Sequence, residues 1–442
     1  MVPDIREQLR RAARDPRDDL DPVALRRRAG RLRRGRAGAA VAVVALLVLL
    51  VPLGQAGLER LRQPAGAVDR PPAPAATTPA PPTTATPTTS PGRAVGPAPL
   101  GTPERAFRAL ARLPRGWSQL PAPPEAREHA VSLWIGNGLF LWGGASRVVG
   151  QADGWVFDPV TRRWQAITPA PLDGRSAAAG VWTGREVLVW GGDDRGATFA
   201  DGAAYDPATG AWRLLPPAPL PARAPVATAW TGTELLVWGS IGRDGPGVRD
   251  GAAFDPRANR WRTIAPAPVA LNQAGWPSPS TVWTGRELVV VGALLDDNNA
   301  STRRHVTGLA YDPAADSWRR LPDVRLSAQA SAAAWTGRGV LALDYDTRAA
   351  MYDPARNRWR RLPGAPLQPC EAFPELGAAG GVVLAVGCGN ALWDGDAGRW
   401  VKIEPKGRRG VGRIVTAGPV LLIAGAGHGG SANGLVAYNP RP

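Results

Sequence analysis

Few residues in this chain could do chemistry, and they are scattered. Three histidines (His129, His305, His428), two cysteines (Cys370, Cys388) and Tyr345 could serve a copper or nucleophilic centre, but they are spread over distant stretches. Asp296-Asp297-Asn298-Asn299 offers hard oxygen ligands suited to calcium, without the spacing of an EF-hand loop. Arg127, Arg175 and Arg223 each stand seven residues before an aromatic: Trp134, Trp182 and Trp230. In that register three guanidiniums would either ring a common opening or bond carbonyls of an adjacent unit. Arg147, Asp193, Asp194, Arg195, Arg243, Asp244 and Asn298 add further loop charge and polarity. The candidate ligand-binding set is Arg127, Arg175, Arg223, Trp276, Asp296, Asp297, Arg303, His305 and His428. It would suit a sugar, a peptide or an anion; the alternative is solvated loop charge. No Gly-x-Ser-x-Gly elbow, phosphate loop or nucleotide fingerprint is present. No catalytic residue, metal site or cofactor is therefore assigned.

A repeated unit must position these residues. Trp182-Thr183-Gly184-Arg185-Glu186-Val187-Leu188-Val189-Trp190-Gly191-Gly192 reads as the end of one strand, a tight turn and a second strand. Gly202 to Tyr205 is a third strand, Asp206-Pro207 starts a turn, and Ala211 to Leu215 is a fourth. Trp-Thr-Gly recurs at Trp230, Trp283 and Trp335, and aromatic-Asp-Pro recurs at Phe157, Phe254, Tyr311 and Tyr352. A Trp follows each of these aromatics by seven residues, at 164, 212, 261, 318 and 359, and Trp393 to Trp400 is a degenerate copy. The period, 41 to 57 residues, is that of four-stranded propeller blades. One such sheet cannot bury both faces, so copies must stack round an axis.

Gly191-Gly192, Tyr205 and Trp212, and likewise Gly143-Gly144, Phe157 and Trp164, resemble the kelch repeat: a glycine pair, an aromatic, then a Trp. Later copies keep one glycine or none, as at Gly239, Gly292 and Leu343-Asp344. The resemblance runs from about Arg115 to the C-terminus and implies a propeller, galactose-oxidase-like in fold. It does not imply that enzyme's copper centre, because Tyr205, Tyr311, Tyr352 and Tyr438 occupy the blade's aromatic slot and leave only Tyr345. Asp396-Ala397-Gly398-Arg399-Trp400 resembles a sialidase Asp-box, but it falls on the turn that every other blade has.

The last copy ends at Tyr438-Asn439-Pro440 with no following Trp strand, while an orphan strand of that type, Arg115-Gly116-Trp117-Ser118-Gln119-Leu120-Pro121, opens the domain. The N-terminal strand should therefore complete the last blade and remove an open edge. Trp strands at 117, 164, 212, 261, 318, 359 and 400 count seven blades. Connections between first and second strands, and between third and fourth, are uniform; those between second and third strands and between blades vary. Any ligand site belongs on the variable face, since rigid scaffolds carry recognition on variable loops.

The formal charge is +16, and twelve arginines against six acids lie in residues 1–36 alone. That placement suits a membrane rather than nucleic acid. Residues 37–57 are uncharged and long enough to span a bilayer, with arginines before them. They predict a single-pass anchor, N-terminus cytoplasmic and the remainder extracytoplasmic; a cleaved secretory signal is the alternative. The short Arg-rich leg resembles those of actinobacterial membrane proteins, some of them similar to anti-sigma factors, but it lacks the His and Cys of the zinc type.

Residues 58–101 form a Pro/Thr/Ala-rich, disordered linker, and 102–442 the propeller, entered by a helix capped at Thr102-Pro103. Cys370 and Cys388 flank the Gly380-Gly381 turn and predict a disulfide, which an exported domain permits. The fold class expected is all-β: a seven-bladed propeller behind one transmembrane helix. The function expected is binding, sensing or scaffolding for a carbohydrate, peptide or protein. The alternatives are a sugar mutarotase, epimerase or lyase using the channel, and a signalling protein acting through its cytoplasmic leg.

Overall fold

The computed structural model describes residues 100–442, apart from 147–148, 241–247, 272–278, 293, 296–304, 328–330, 369–373, 388, 405–412, 425–433 and 441–442. Seven antiparallel four-stranded sheets make a β-propeller. Blade 1 is Val131–Trp134, Leu139–Trp142, Gly154–Asp158 and Arg163–Ala166. Blade 2 is Ala179–Trp182, Val187–Trp190, Gly202–Asp206 and Ala211–Leu214. Blade 3 is Ala227–Trp230, Leu235–Trp238, Gly251–Asp255 and Arg260–Thr263. Blade 4 is Ser280–Trp283, Leu288–Gly292, His305–Asp312 and Ser317–Arg320, with an extra strand, Val324–Ser327, paired to its third. Blade 5 is Ser331–Trp335, Val340–Asp344, Ala349–Asp353 and Arg358–Leu362. Blade 6 is Glu375–Ala379, Val382–Gly387, Gly389–Asp394 and Arg399–Ile403.

Blade 7 is closed as its ends require. Arg413–Ala417, Val420–Ala424 and Leu435–Asn439 take Gly116–Leu120 as their fourth strand, with Trp117 opposite Tyr438. Their rings meet edge to face at 4.9 Å. First strands touch round the whole circle, blade 7 against blade 1 included.

Each seam has its own apolar core. Second-strand side chains alternate between the two neighbours: Val187 and Val189 pack toward blade 1, Leu188 and Trp190 toward blade 3. This explains why second strands read as unbroken apolar runs, since both faces are covered. The buried Trp142, Trp190 and Trp238 pack on the fourth-strand Trp of the following blade at 5.8, 5.8 and 4.9 Å.

A belt of indole hydrogen bonds runs round the rim. Each fourth-strand Trp donates Nε1 to a carbonyl of the preceding blade, four residues past that blade's own Trp. Trp164 reaches Pro121, Trp212 reaches Thr168, Trp261 reaches Pro216, Trp318 reaches Ala265, Trp400 reaches Pro363 and Trp117 reaches Glu404, at 2.8–3.1 Å. Trp359 breaks the series: its buried Nε1 has no partner among the described residues. There the chain leaving blade 4 enters the extra strand Val324–Ser327, which packs against blade 5.

Helix α1 (Pro103–Ala111) precedes the closing strand. Thr102 Oγ1 caps it by accepting from Arg105 N, with Pro in the first turn. It ends at Ala111, with Arg112 as its C-cap. Ala106 and Leu110 are its buried face, and Leu110 joins the core between blades 7 and 1. Asn137 Nδ2 donates to Gly101 O at 3.0 Å and Asn439 Nδ2 to Leu113 O at 2.7 Å, so this segment lies over the turns of those two blades. No helix among the described residues is long and apolar enough to cross a membrane, and residues 37–57 lie outside them.

Candidate functional site

The two faces of the disc use their polar groups differently. On the turn face the threonines and aspartates of the turns are consumed by those turns. Thr183, Thr231, Thr284 and Thr336 accept from the N–H three residues on. Asp158, Asp206, Asp255 and Asp312 accept from the N–H two residues on. Asn259, Asp316 and Asn357 hold φ of 48°, 45° and 48°, which short polar side chains tolerate better than others. These residues also accept from, or sit against, an arginine of the preceding blade. Arg213 spans Glu186 (2.8 Å) and Asn259 (3.2 Å); Arg319 spans Glu287 (2.7 Å) and Asn357 (2.8 Å); Arg262 spans Glu234 (2.7 Å) and Asp316 (3.9 Å). Burial pushes the Tyr311 phenol up, and its hydrogen bond to Asp316 adds to that. This face is a structural frame.

The variable face carries the predicted arginines. Arg127, Arg175 and Arg223 are all buried. Each meets the aspartate that immediately precedes its blade's third strand: Asp153 at 2.8 Å, Asp201 at 2.6 Å and Asp250 at 2.7 Å. Arg127 and Arg175 also donate to the carbonyls of Gly143 and Gly191, where the second strand of the same blade ends. Arg127 lies over Trp155 and Arg175 over Phe199, at 4.6 and 4.0 Å from the ring centres. The side chains thus bond within their own blade. It is the backbone at Arg175 and Arg223 that reaches the neighbour, accepting from Gly144 N and Gly192 N of the preceding blade. A Cβ at Gly143 or Gly191 would lie 2.8 or 2.5 Å from those same carbonyl oxygens, which explains the glycine there.

Blade 5 reverses the arrangement. Asp344 stands where the other blades have that glycine, and Arg348 where they have the aspartate. The Asp344 side chain is wholly buried, and Arg348, half exposed, holds it at 3.0 Å. The connection is only four residues long, so both partners come from one turn.

Loops of blades 1 and 2 are clasped to each other. Gly150 N donates to Asp194 Oδ1 at 2.8 Å across the seam, and within blade 2 Ser176 Oγ donates to Asp193 Oδ1 at 2.9 Å. The Gly150 N–H, with help from Arg195, holds the Asp194 carboxyl below its ordinary value. Of the remaining candidates, Arg147, Arg243, Asp244, Trp276, Asp296, Asp297, Asn298, Arg303 and His428 lie outside the described residues. His305 opens the third strand of blade 4, paired to Ser327. His129 sits in the connection entering blade 1, with φ of 54°. Cys370 and Cys388 both lie outside the described residues, so the expected disulfide does too. No group of three metal-ligating side chains occurs among the described residues.

The arginine register is legible in the sequence; its partners are not singled out there by the Trp-Thr-Gly or aromatic-Asp-Pro motifs. Asp153, Asp201 and Asp250 stand 26, 26 and 27 residues after their arginines. The signal was present, as an Asp at a fixed place before each third-strand glycine. A scan against protein-family models and a search of curated proteins give no match for this chain.

Proposed function

We propose that this protein is a kelch-type binding or scaffold module, held outside the cell membrane by residues 37–57 on the 58–101 linker. Its recognition surface is the variable face. The observation that carries this reading is the contrast between the faces: one spends its polar groups on its own turns, the other varies in every connection over a rigid base of buried ion pairs. A glycan, peptide or protein ligand suits such a surface, with Arg195 and the outward side of the Asp194 clasp as entry points. The kelch assignment rests on the glycine pair, aromatic and Trp order; the anchor rests on arginines followed by an uncharged stretch.

The test has two parts. Carbonate extraction of cell membranes followed by external proteolysis should leave the propeller bound and protease-accessible. A soluble, wholly released propeller would overturn the anchor. Glycan and peptide arrays, read with sugar turnover by NMR on any hit, should show binding without turnover. Turnover would favour the mutarotase, epimerase or lyase alternative instead.

A further inference from the structure

The rim offers a second surface, distinct from the variable face. Blades 2, 3 and 4 place an arginine one residue after the fourth-strand Trp, and each neutralises it with a glutamate at the start of the second strand: Arg213 with Glu186, Arg262 with Glu234, Arg319 with Glu287. Blade 5 keeps the arginine, Arg360, and has Gly339 in place of the glutamate. A Cβ at Gly339 would fall 2.8 Å from Tyr352 O and 2.9 Å from Met351 Sδ, so the local packing excludes the acidic side chain. The second partner is missing as well. Arg213 and Arg319 reach Asn259 and Asn357 on the next blade's turn; for Arg360 the residue at the matching position, two before Trp400, is Gly398.

Strand alternation extends this patch across the seam. Residues one before and one after the Trp face the next blade, as the Arg213 and Arg319 bonds show; the Trp and the residue two after it face the preceding one, as Trp400 does in donating to Pro363 O. Arg358 and Arg360 therefore line the blade 5 wall of the seam between blades 5 and 6, and Lys402 lines the blade 6 wall. All three are exposed. Nearby carboxylates are engaged: Asp353 by Arg356 at 2.8 Å, and Asp394 by two backbone N–H groups of its turn. Asp396, exposed at the lip of that turn, and Glu404, exposed two residues past Lys402, are the exceptions.

We propose that this rim cleft binds a phosphodiester chain of a non-nucleic polymer. Arginine forks match phosphate oxygens two at a time. Alternate residues of one strand are about 6.7 Å apart, a spacing that suits phosphates separated by a short polyol rather than a flat field of headgroups. A single-stranded nucleic acid would need exposed aromatics for its bases to stack on. Trp359 and Trp400 are partly buried in their seams, and Phe107 on the distant helix α1 is the aromatic among the exposed large hydrophobic side chains described.

The experiment is fluorescence anisotropy of labelled poly(glycerol phosphate) against the full-length protein over a salt series. The expected result is binding whose logarithm falls with log salt at a slope of roughly −2, for three contacts. Arg358→Gln/Arg360→Gln/Lys402→Gln should weaken it about tenfold or more and flatten the slope. Arg213→Gln, in the neutralised blade, should leave it within about twofold. All the substituted side chains lie on the rim, and an unchanged melting temperature confirms that the variants are folded. The proposal is overturned by absence of binding at low salt, by wild-type affinity in the triple variant, or by an equal loss in Arg213→Gln. Equal or tighter binding of an oligonucleotide, or of polygalacturonate, would overturn the assignment to a non-nucleic phosphodiester.

Discussion

Blades 1 to 3 and blade 5 solve one problem with opposite signs. Where second and third strands end on the variable face, each builds a buried ion pair. In blades 1 to 3 the arginine is the buried partner, with 3, 0 and 5 % of its side chain exposed, while the aspartate is about half exposed. In blade 5 the aspartate is fully buried and the arginine is 54 % exposed. The difference follows from where the partners originate. In blades 1 to 3 the arginine arrives from the connection between blades and threads under a long loop. In blade 5 the loop is too short to cover an arginine, and Asp344, the last residue of the second strand, turns inward. The position selects for a satisfied charge at the strand ends, not for a particular residue.

The contrast can be broken most severely in blade 5. Arg348→Ala takes from the buried Asp344 carboxylate the guanidinium held at 3.0 Å, and the expected loss is about 3 kcal/mol in urea unfolding, since a buried carboxylate loses a charged partner. Arg175→Met should cost less, about 2 kcal/mol, because the Asp201 left behind can turn to water. If Arg175→Met proved the costlier of the two, burial of the abandoned partner would not be what decides the cost.

The rim belt sharpens the same comparison between repeated and exceptional blades. Trp318→Phe removes a hydrogen bond to Ala265 O, whereas Trp359→Phe removes an N–H that has no partner. The first should exceed the second by about 1 kcal/mol under identical unfolding conditions. Equal losses would mean that the belt contributes nothing.

The smallest effect concerns pH. Asp194 is held below its ordinary 3.8 by Gly150 N–H, so the stability it adds is complete above that value and is lost as pH falls through the lowered one. Asp194→Asn should therefore flatten the acid limb of the melting-temperature profile and leave neutral pH nearly unchanged. In the alkaline direction, burial raises the Tyr205 phenol to about 12, with Asp206 adding to it. Its ionisation at 295 nm should lag that of an ordinary tyrosine, and the stability it adds is lost as pH rises toward 12.

Much of this was legible beforehand because it is carried by side chains at fixed offsets. The Trp period set the number of blades, and the missing Trp after Tyr438 set the closure with Trp117. What escaped notice is carried by backbone or by absence. The belt acceptors are carbonyls, of Pro121, Thr168 or Ala265 alike, and a carbonyl leaves no mark on residue type. The extra strand Val324–Ser327 begins just past the usual Leu-Pro ending, so nothing local announces it. Asp153, Asp201 and Asp250 stand in the variable connections, and their role appears only when the second-to-third loop is folded over an arginine from before the blade. Gly339 drew no attention because a glycine in a turn looks ordinary; its meaning is the glutamate that three sister blades have there.

The N-terminal closing strand has a consequence for synthesis. Asn439 bonds Leu113 across 326 residues, so a ribosome making about 5–20 residues per second delivers one half of the clasp tens of seconds before the other. Throughout that interval Gly116–Leu120 has no mate and six sheets have no closed circle. The nascent disc is a spiral with two live ends, and it locks only once Leu435–Asn439 has emerged to meet Gly116–Leu120.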